Sequence, residues 1–178
     1  MKTKTASAFL GVVIGLAAPF DPAYSAPKWA CLEPALKTEL AHKLTFQGDF
    51  ASLISEMRPE LAEVAALNAA TAKMGFEMRY SRIVWIWQED PSRLSDPDAF
   101  WAFAWSDEDT KAWREASAEH ASMHDRVEAL KTELTEHQDT AALREFASEL
   151  RKETTYVDLL TEFGAAVRSD RDRVAECY

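Results

Sequence analysis

Apolar residues recur at alternating intervals of three and four along the second half of the chain. One series covers residues 113–141, and a second covers 143–174. Positions three and four apart share a helix face, and their alternation is the heptad register of packed helices. The pattern predicts two long helices separated by a polar turn at TEHQDT. The first begins after Ser106, which forms a capping box with Asp109, and the second covers about 140–176.

The first half of the chain has a helical composition with clearer stop signals. It predicts a helix over about 34–44, ended by TFQGD, and a short helix over 49–57. Proline at the first position then begins a helix over about 59–89. The end of that helix, RIVWIWQ (82–88), is β-branched and aromatic, which is typical of a strand. No partner strand is apparent and a lone strand is unstable, so a helix is favoured there.

Chain-breaking residues are sparse, with only 5 glycines among 178 residues. The loop EDPSRLSDPDA precedes a short aromatic segment, DAFWAFAW (98–105), which is predicted to be helical. The predicted fold class is therefore all-α. We expect an elongated antiparallel bundle of three long helices, with short N-terminal and connecting helices.

The first 25 residues have the pattern of a secretory signal peptide. Two lysines precede an apolar run over 8–18, which is too short to span a bilayer. Ala23 and Ser25 fit the cleavage-site positions, so cleavage is predicted after Ser25. The alternative is an uncleaved N-terminal anchor. The expected mature chain is one domain, 26–178, that is periplasmic or secreted and has no stable membrane insertion.

The charge of the chain limits its partners. The formal net charge is −10 at pH 7, and removal of the predicted signal peptide moves it to −11. Such a surface repels nucleic-acid phosphates and anionic lipid head groups. The acidity is compatible with a cation or a basic partner, and it also serves solubility.

The two cysteines, Cys31 and Cys177, lie near opposite ends of the expected mature chain. In an oxidising compartment such a remote pair predicts a structural disulfide rather than a redox couple. An up-and-down bundle brings these ends together, which supports the same pairing.

The segment EHASMHDRV places His120 and His124 four residues apart on one helix face, with Met123 between them. Two imidazoles and a thioether suit copper, and nickel or zinc with help from a carboxylate. The alternative is packing, in which His120 lies in the apolar seam and His124 on its flank. Otherwise the sequence indicates no cofactor.

Aromatic residues concentrate around the loop that follows residue 89. Their distribution over several faces predicts either a cap on one end of the bundle or a site for a protein partner. The candidate partner-binding residues are Phe100, Trp101, Trp105, Trp85 and Trp87.

The segment LTEHQ (134–138) resembles the LTxxQ pattern of small periplasmic helical stress proteins, a chaperone and metal-sensing group. That group typically carries the pattern twice, whereas the second instance here, LTFQ (44–47), is one residue short. The resemblance implies a similar helical architecture and does not extend to membership.

Sequence motifs for a nucleophile elbow, a phosphate loop, a zincin or a covalent haem site do not occur. The leading hypothesis is a non-enzymatic, exported accessory protein, chaperone-like or inhibitor-like, that binds a protein partner. The alternatives are a periplasmic metal sensor or carrier that uses His120 and His124, and an enzyme with an unrecognised site in the bundle. A homodimer formed through one of the seams is also compatible with the sequence.

Overall fold

The computed structural model describes residues 26–95 and 105–178, and within these ranges every regular element is helical. The all-α prediction is confirmed, including a helix over residues 82–88. The part of the chain that the structure describes also has three short 3-10 turns, at Pro59–Leu61, Pro91–Leu94 and Leu150–Lys152. The α-helices are α1 (Trp29–Met57), α2 (Ala62–Glu89), α3 (Asp107–Ala116), α4 (Ala118–Glu136), α5 (Thr140–Glu149) and α6 (Thr154–Ala175).

Helices α1 and α2 form a long antiparallel hairpin, which is the spine of the bundle. Arg58 leaves the helical conformation before Pro59, whose fixed φ begins the 3-10 turn. At that end Ile54 is buried with Val64 and with residues of α5. At the opposite end Leu32 is buried with Ile86, so the hairpin has an apolar core at each end.

Helix α6 runs antiparallel along α1. The Phe46 and Phe163 ring centroids are 4.2 Å apart, and the backbone N–H of Lys28 donates to the carbonyl of Cys177 (3.1 Å). The predicted disulfide between Cys31 and Cys177 is present, with an S–S distance of 2.07 Å. The two ends of the described chain are therefore joined at one end of the hairpin.

Helix α4 packs on α2, whereas α6 packs on α1, and α3 packs on α4. The side-chain hydroxyl of Thr71 lies 3.5 Å from the carbonyl oxygen of Leu130 at this contact. Val127 and Leu130 are the buried residues of α4, and both belong to the predicted seam. No helix in the two described ranges is long and apolar enough to cross a membrane.

The predicted stop at TFQGD is wrong, because α1 continues through it to Met57. Glycine costs a helix about 1 kcal/mol relative to alanine. Here Phe46 and Phe50 flank Gly48 and pack on aromatic side chains of α6. A Cβ at Gly48 would lie 3.3 Å from Nζ of Lys73, the flexible end of a side chain on α2, and would meet no backbone atom of that helix within 4 Å. Tertiary packing outweighs the propensity.

The predicted continuous helix after Ser106 is also wrong, because it breaks at Ser117. That residue has extended backbone (φ −158°, ψ 155°), and its hydroxyl accepts from the N–H of His120 at 3.1 Å. A serine hydroxyl that caps a new helix offsets the cost of ending the old one. The predicted cap at Ser106 is present, and it accepts from the N–H of Asp109 at 3.0 Å.

The predicted helix over 140–176 is interrupted by the turn at Leu150–Lys152 and by extended backbone at Glu153. Directly beyond the break the seam is partly exposed, with Val157 and Leu160 at 44% and 38%, and it is buried again at Val174. The polar turn predicted at TEHQDT is confirmed between α4 and α5. The predicted aromatic helix (98–105) lies outside the described residues except for Trp105.

Candidate functional site

A row of stacked side chains crosses α2, α3 and α4, and we call it the Arg82 stack. The guanidinium carbon of Arg82 lies 4.7 Å from the ring centroid of Trp105 and 4.9 Å from that of Trp113. Trp85 lies beside Trp105 (6.2 Å), and His120 is stacked on Trp113 (4.8 Å). One cation is thus held between two indole faces, an arrangement stabilised by the ring quadrupoles.

The broken helix explains how His120 reaches Trp113. Seven residues along a straight helix span about 10.5 Å, roughly twice the observed separation of the two rings. The extended backbone of Ser117 turns α4 back onto α3 and closes that distance. The Nδ1 atom of His120 then hydrogen-bonds the carbonyl oxygen of Trp113 (3.0 Å).

A pocket of about 200 Å³ opens beside the Arg82 stack, and we call it the Arg82 pocket. Its walls combine apolar and aromatic groups with two guanidinium groups from successive turns of α2. A Cβ added at Gly75 would meet nothing within 4 Å, so this wall is open. The lining residues are Gly75, Met78, Arg79, Arg82, Ile83, Leu94 and Trp105.

Arg82 is a half-buried cation whose charge is only partly compensated. Burial lowers the pKa of Arg82, while the attraction of Glu128 acts in the opposite direction. Glu128 is itself hydrogen-bonded to Lys131 (2.8 Å). Among the described residues, the Nε–H of Arg82 and the indole N–H of Trp113 are buried without a hydrogen-bond acceptor. Two donors in one stack therefore lack a partner, which is uncommon because an unpaired buried polar group costs free energy.

The structure brings together only part of the predicted partner-binding set. Trp85 and Trp105 belong to the Arg82 stack, but Trp87 is stacked on Trp29 (5.3 Å) beside the disulfide. Phe100 and Trp101 lie outside the described residues. Sequence reasoning did not identify Arg82, because an arginine within an aromatic helix does not indicate that Trp105 and Trp113 pack on it.

The histidine pair is placed in α4, as predicted, but each ring has a local partner. Nδ1 of His120 faces the Trp113 carbonyl, and Nδ1 of His124 lies 3.4 Å from Oδ1 of Asp125. Met123 is half-buried between them. In the two described ranges, no group of three or more histidine, cysteine, aspartate and glutamate side chains is placed to hold a metal ion. Metal binding by the pair remains a prediction, and the geometry accounts for His120 through packing.

A second polar site was not predicted and joins α1 to α6. The Nδ1–H of His42 donates to Oδ2 of Asp170 (2.8 Å), and Asp170 is fully buried. Its other oxygen, Oδ1, lies 3.6 Å from Nη1 of Arg173. The His42 ring also lines a pocket of about 180 Å³. Because the two residues are 128 positions apart, no local pattern indicates their pairing.

We expect His42→Ala to lower the free energy of unfolding by about 2 kcal/mol, because it leaves a buried carboxylate without its hydrogen-bond donor. Urea denaturation at pH 7 would measure the change. The control is Arg144→Ala, at an exposed position on α5, with an expected change within about 0.5 kcal/mol. Equal effects of the two substitutions would contradict the assigned role.

The LTEHQ segment ends α4 and forms the turn that follows it. The helix ends at Glu136, and Nδ1 of His137 accepts from the N–H of Asp139 (3.2 Å). The hydroxyl of Thr140 reaches back to the carbonyl of Leu134 (2.5 Å). Here the segment stabilises the end of a helix and the turn to the next.

Comparison of the chain with protein-family models gave no match. Comparisons with curated proteins and with solved structures gave no significant match either.

Proposed function

We propose that this chain is an exported, non-enzymatic accessory protein that binds a protein partner at the Arg82 pocket. The observation that carries the proposal is the guanidinium of Arg82, held between Trp105 and Trp113 at the edge of an open, mainly apolar pocket. Tryptophan and arginine are the residue types most enriched at the energetic centres of protein interfaces. Residues held rigidly before binding lose little entropy when a partner arrives.

The disulfide supports the exported location, because such bonds persist in oxidising compartments. The disulfide also holds the surface around the Arg82 pocket rigid. Cys177 packs in the same apolar core as Ile83 and Leu94, which line the pocket. A pocket supported by a covalently closed core suits a chaperone-like or inhibitor-like factor that presents a preformed site.

Photo-crosslinking tests the proposal directly. We expect benzoylphenylalanine at Met78, in the pocket, to yield a discrete protein adduct in the organism that encodes the chain. The same residue at Arg144, exposed on α5, is the matched control. The adduct is measured on gels and identified by mass spectrometry. No adduct at Met78, or the same adducts at both positions, would contradict partner binding at the Arg82 pocket.

A further inference from the structure

The Arg82 pocket carries positive charge on a chain whose formal net charge is −10. Arg79 and Arg82 are one helical turn apart on α2, so both guanidinium groups line the same side of the pocket. An anion in the pocket would meet the cation of Arg82, while most of the remaining surface repels it. The pocket is therefore a local site of opposite sign to the protein.

The guanidinium of Arg82 also lacks hydrogen-bond acceptors among the described residues. It forms no ion pair with another described residue, and its Nε–H is buried without an acceptor. The indole faces compensate the charge in part, but π-faces do not replace the hydrogen bonds that a guanidinium makes to oxygen. A carboxylate is the group whose geometry matches the Nη side of the fork.

The size of the pocket selects among possible carboxylates. At about 200 Å³ it is smaller than the roughly 300–1,000 Å³ typical of sites that enclose a whole small molecule. It fits a single side chain that enters from a larger partner. A free C-terminus is normally captured by a nest of backbone N–H groups. Here the wall is the side of α2, whose backbone is engaged in its own helix.

From these observations we infer that the Arg82 pocket binds the carboxylate of an acidic side chain, flanked by apolar residues, on the partner protein. This rests on the proposed function and adds the chemistry of what is recognised. The guanidinium of Arg82 anchors the carboxylate, and Met78 and Trp105, which are half-buried at the pocket, contact the apolar neighbours.

The test uses the oxidised mature protein and two synthetic peptides that differ in one group. The probe is acetyl-Ala-Leu-Glu-Leu-Ala-amide, and the matched control has Gln in place of Glu. The readout is the ¹H–¹⁵N resonance of the Arg82 Nε–H, assigned by its absence from Arg82→Lys. That proton is hidden from solvent, which favours its detection. We expect the Glu peptide to shift this resonance and to bind at least about tenfold more tightly than the Gln peptide.

Arginine substitutions provide the second part of the experiment. Arg82→Gln should abolish the preference for Glu, whereas Arg144→Gln, at an exposed site on α5, should keep it. Equal affinity of the wild-type protein for the two peptides would overturn the inference, and this comparison needs no variant that must fold. A preference that persists in Arg82→Gln would overturn it as well. The inference would also be overturned if the Gln peptide with a free C-terminal carboxylate bound more tightly than the amidated Glu peptide.

The outcomes separate this inference from the proposed function. If the Met78 adduct forms but the peptides bind equally, the partner site stands and the carboxylate chemistry is wrong. If the Glu peptide binds preferentially but no adduct forms at Met78, the carboxylate site stands and the partner function is wrong.

Discussion

Replacing Trp113 with alanine is expected to lower the free energy of unfolding by about 4 kcal/mol. Trp113 is completely buried, so truncation removes the largest side chain of the core and leaves a cavity. It also removes one of the two rings that hold Arg82 and the ring on which His120 is stacked. In a chain of this size the loss corresponds to a fall of about 10 °C in the melting temperature.

Chemical denaturation monitored by circular dichroism would measure the change, and Trp85→Ala is the matched control. Trp85 is half-buried at the outer end of the Arg82 stack, so we expect a loss of about 1–2 kcal/mol. Trp113→Phe should recover much of the stability because it keeps a ring in the cavity. If Trp113→Ala and Trp85→Ala lowered the free energy of unfolding equally, the larger structural role assigned to Trp113 would be wrong.

Removal of the disulfide by Cys31→Ser with Cys177→Ser should cost about 4–5 kcal/mol. The bridge closes a loop with a sequence separation of 146, and the chain-entropy model assigns this stabilisation mainly to the unfolded state. The bridge links Cys31 in α1 to Cys177 just after α6. These two helices also pack through Phe46 and Phe163. The reduced fold should therefore keep its helices while losing stability.

Guanidinium denaturation of the oxidised protein and of the serine variant would give the difference. The native circular dichroism spectra should coincide, because the bridge changes the unfolded ensemble more than the folded state. Wild-type protein under a reducing agent is the control and should match the variant. A loss below about 1 kcal/mol would contradict the entropic account.

The elements that the sequence predicts well are those set by side-chain spacing. Ile83 and Ile86 are three positions apart and buried on one face of α2, so the helical interpretation of RIVWIWQ is correct despite its strand-like composition. The disulfide is predictable because the chain has only two cysteines.

The joints between helices are predicted less well because tertiary packing decides them. Gly48 remains helical because the aromatic residues around it pack on α6, a contact that no local window contains. Ser117 breaks a continuous apolar seam because it caps α4 and lets His120 reach Trp113. Spacing alone gave no reason to expect either outcome.

The candidate site is predictable only in part, for the same reason. The aromatic residues around the loop after α2 were identified from composition, and Trp85 and Trp105 do meet in the Arg82 stack. Arg82 and Trp113 complete it from positions whose proximity depends on how α3 crosses α2. The histidine spacing predicted a metal site, which stays a prediction, and it gave no indication that the ring of His120 stacks on Trp113.

The bridge between Cys31 and Cys177 also determines how the molecule responds to mechanical force. Tension applied at its two ends passes through the sulfur–sulfur bond and does not load the helices between them. When the bridge is oxidised, the segment between the two cysteines therefore stays folded under such a load. When reduced, the same molecule can release roughly 500 Å of chain as the bundle is pulled apart. The redox state of the Cys31–Cys177 bridge thereby sets how far the molecule extends under load.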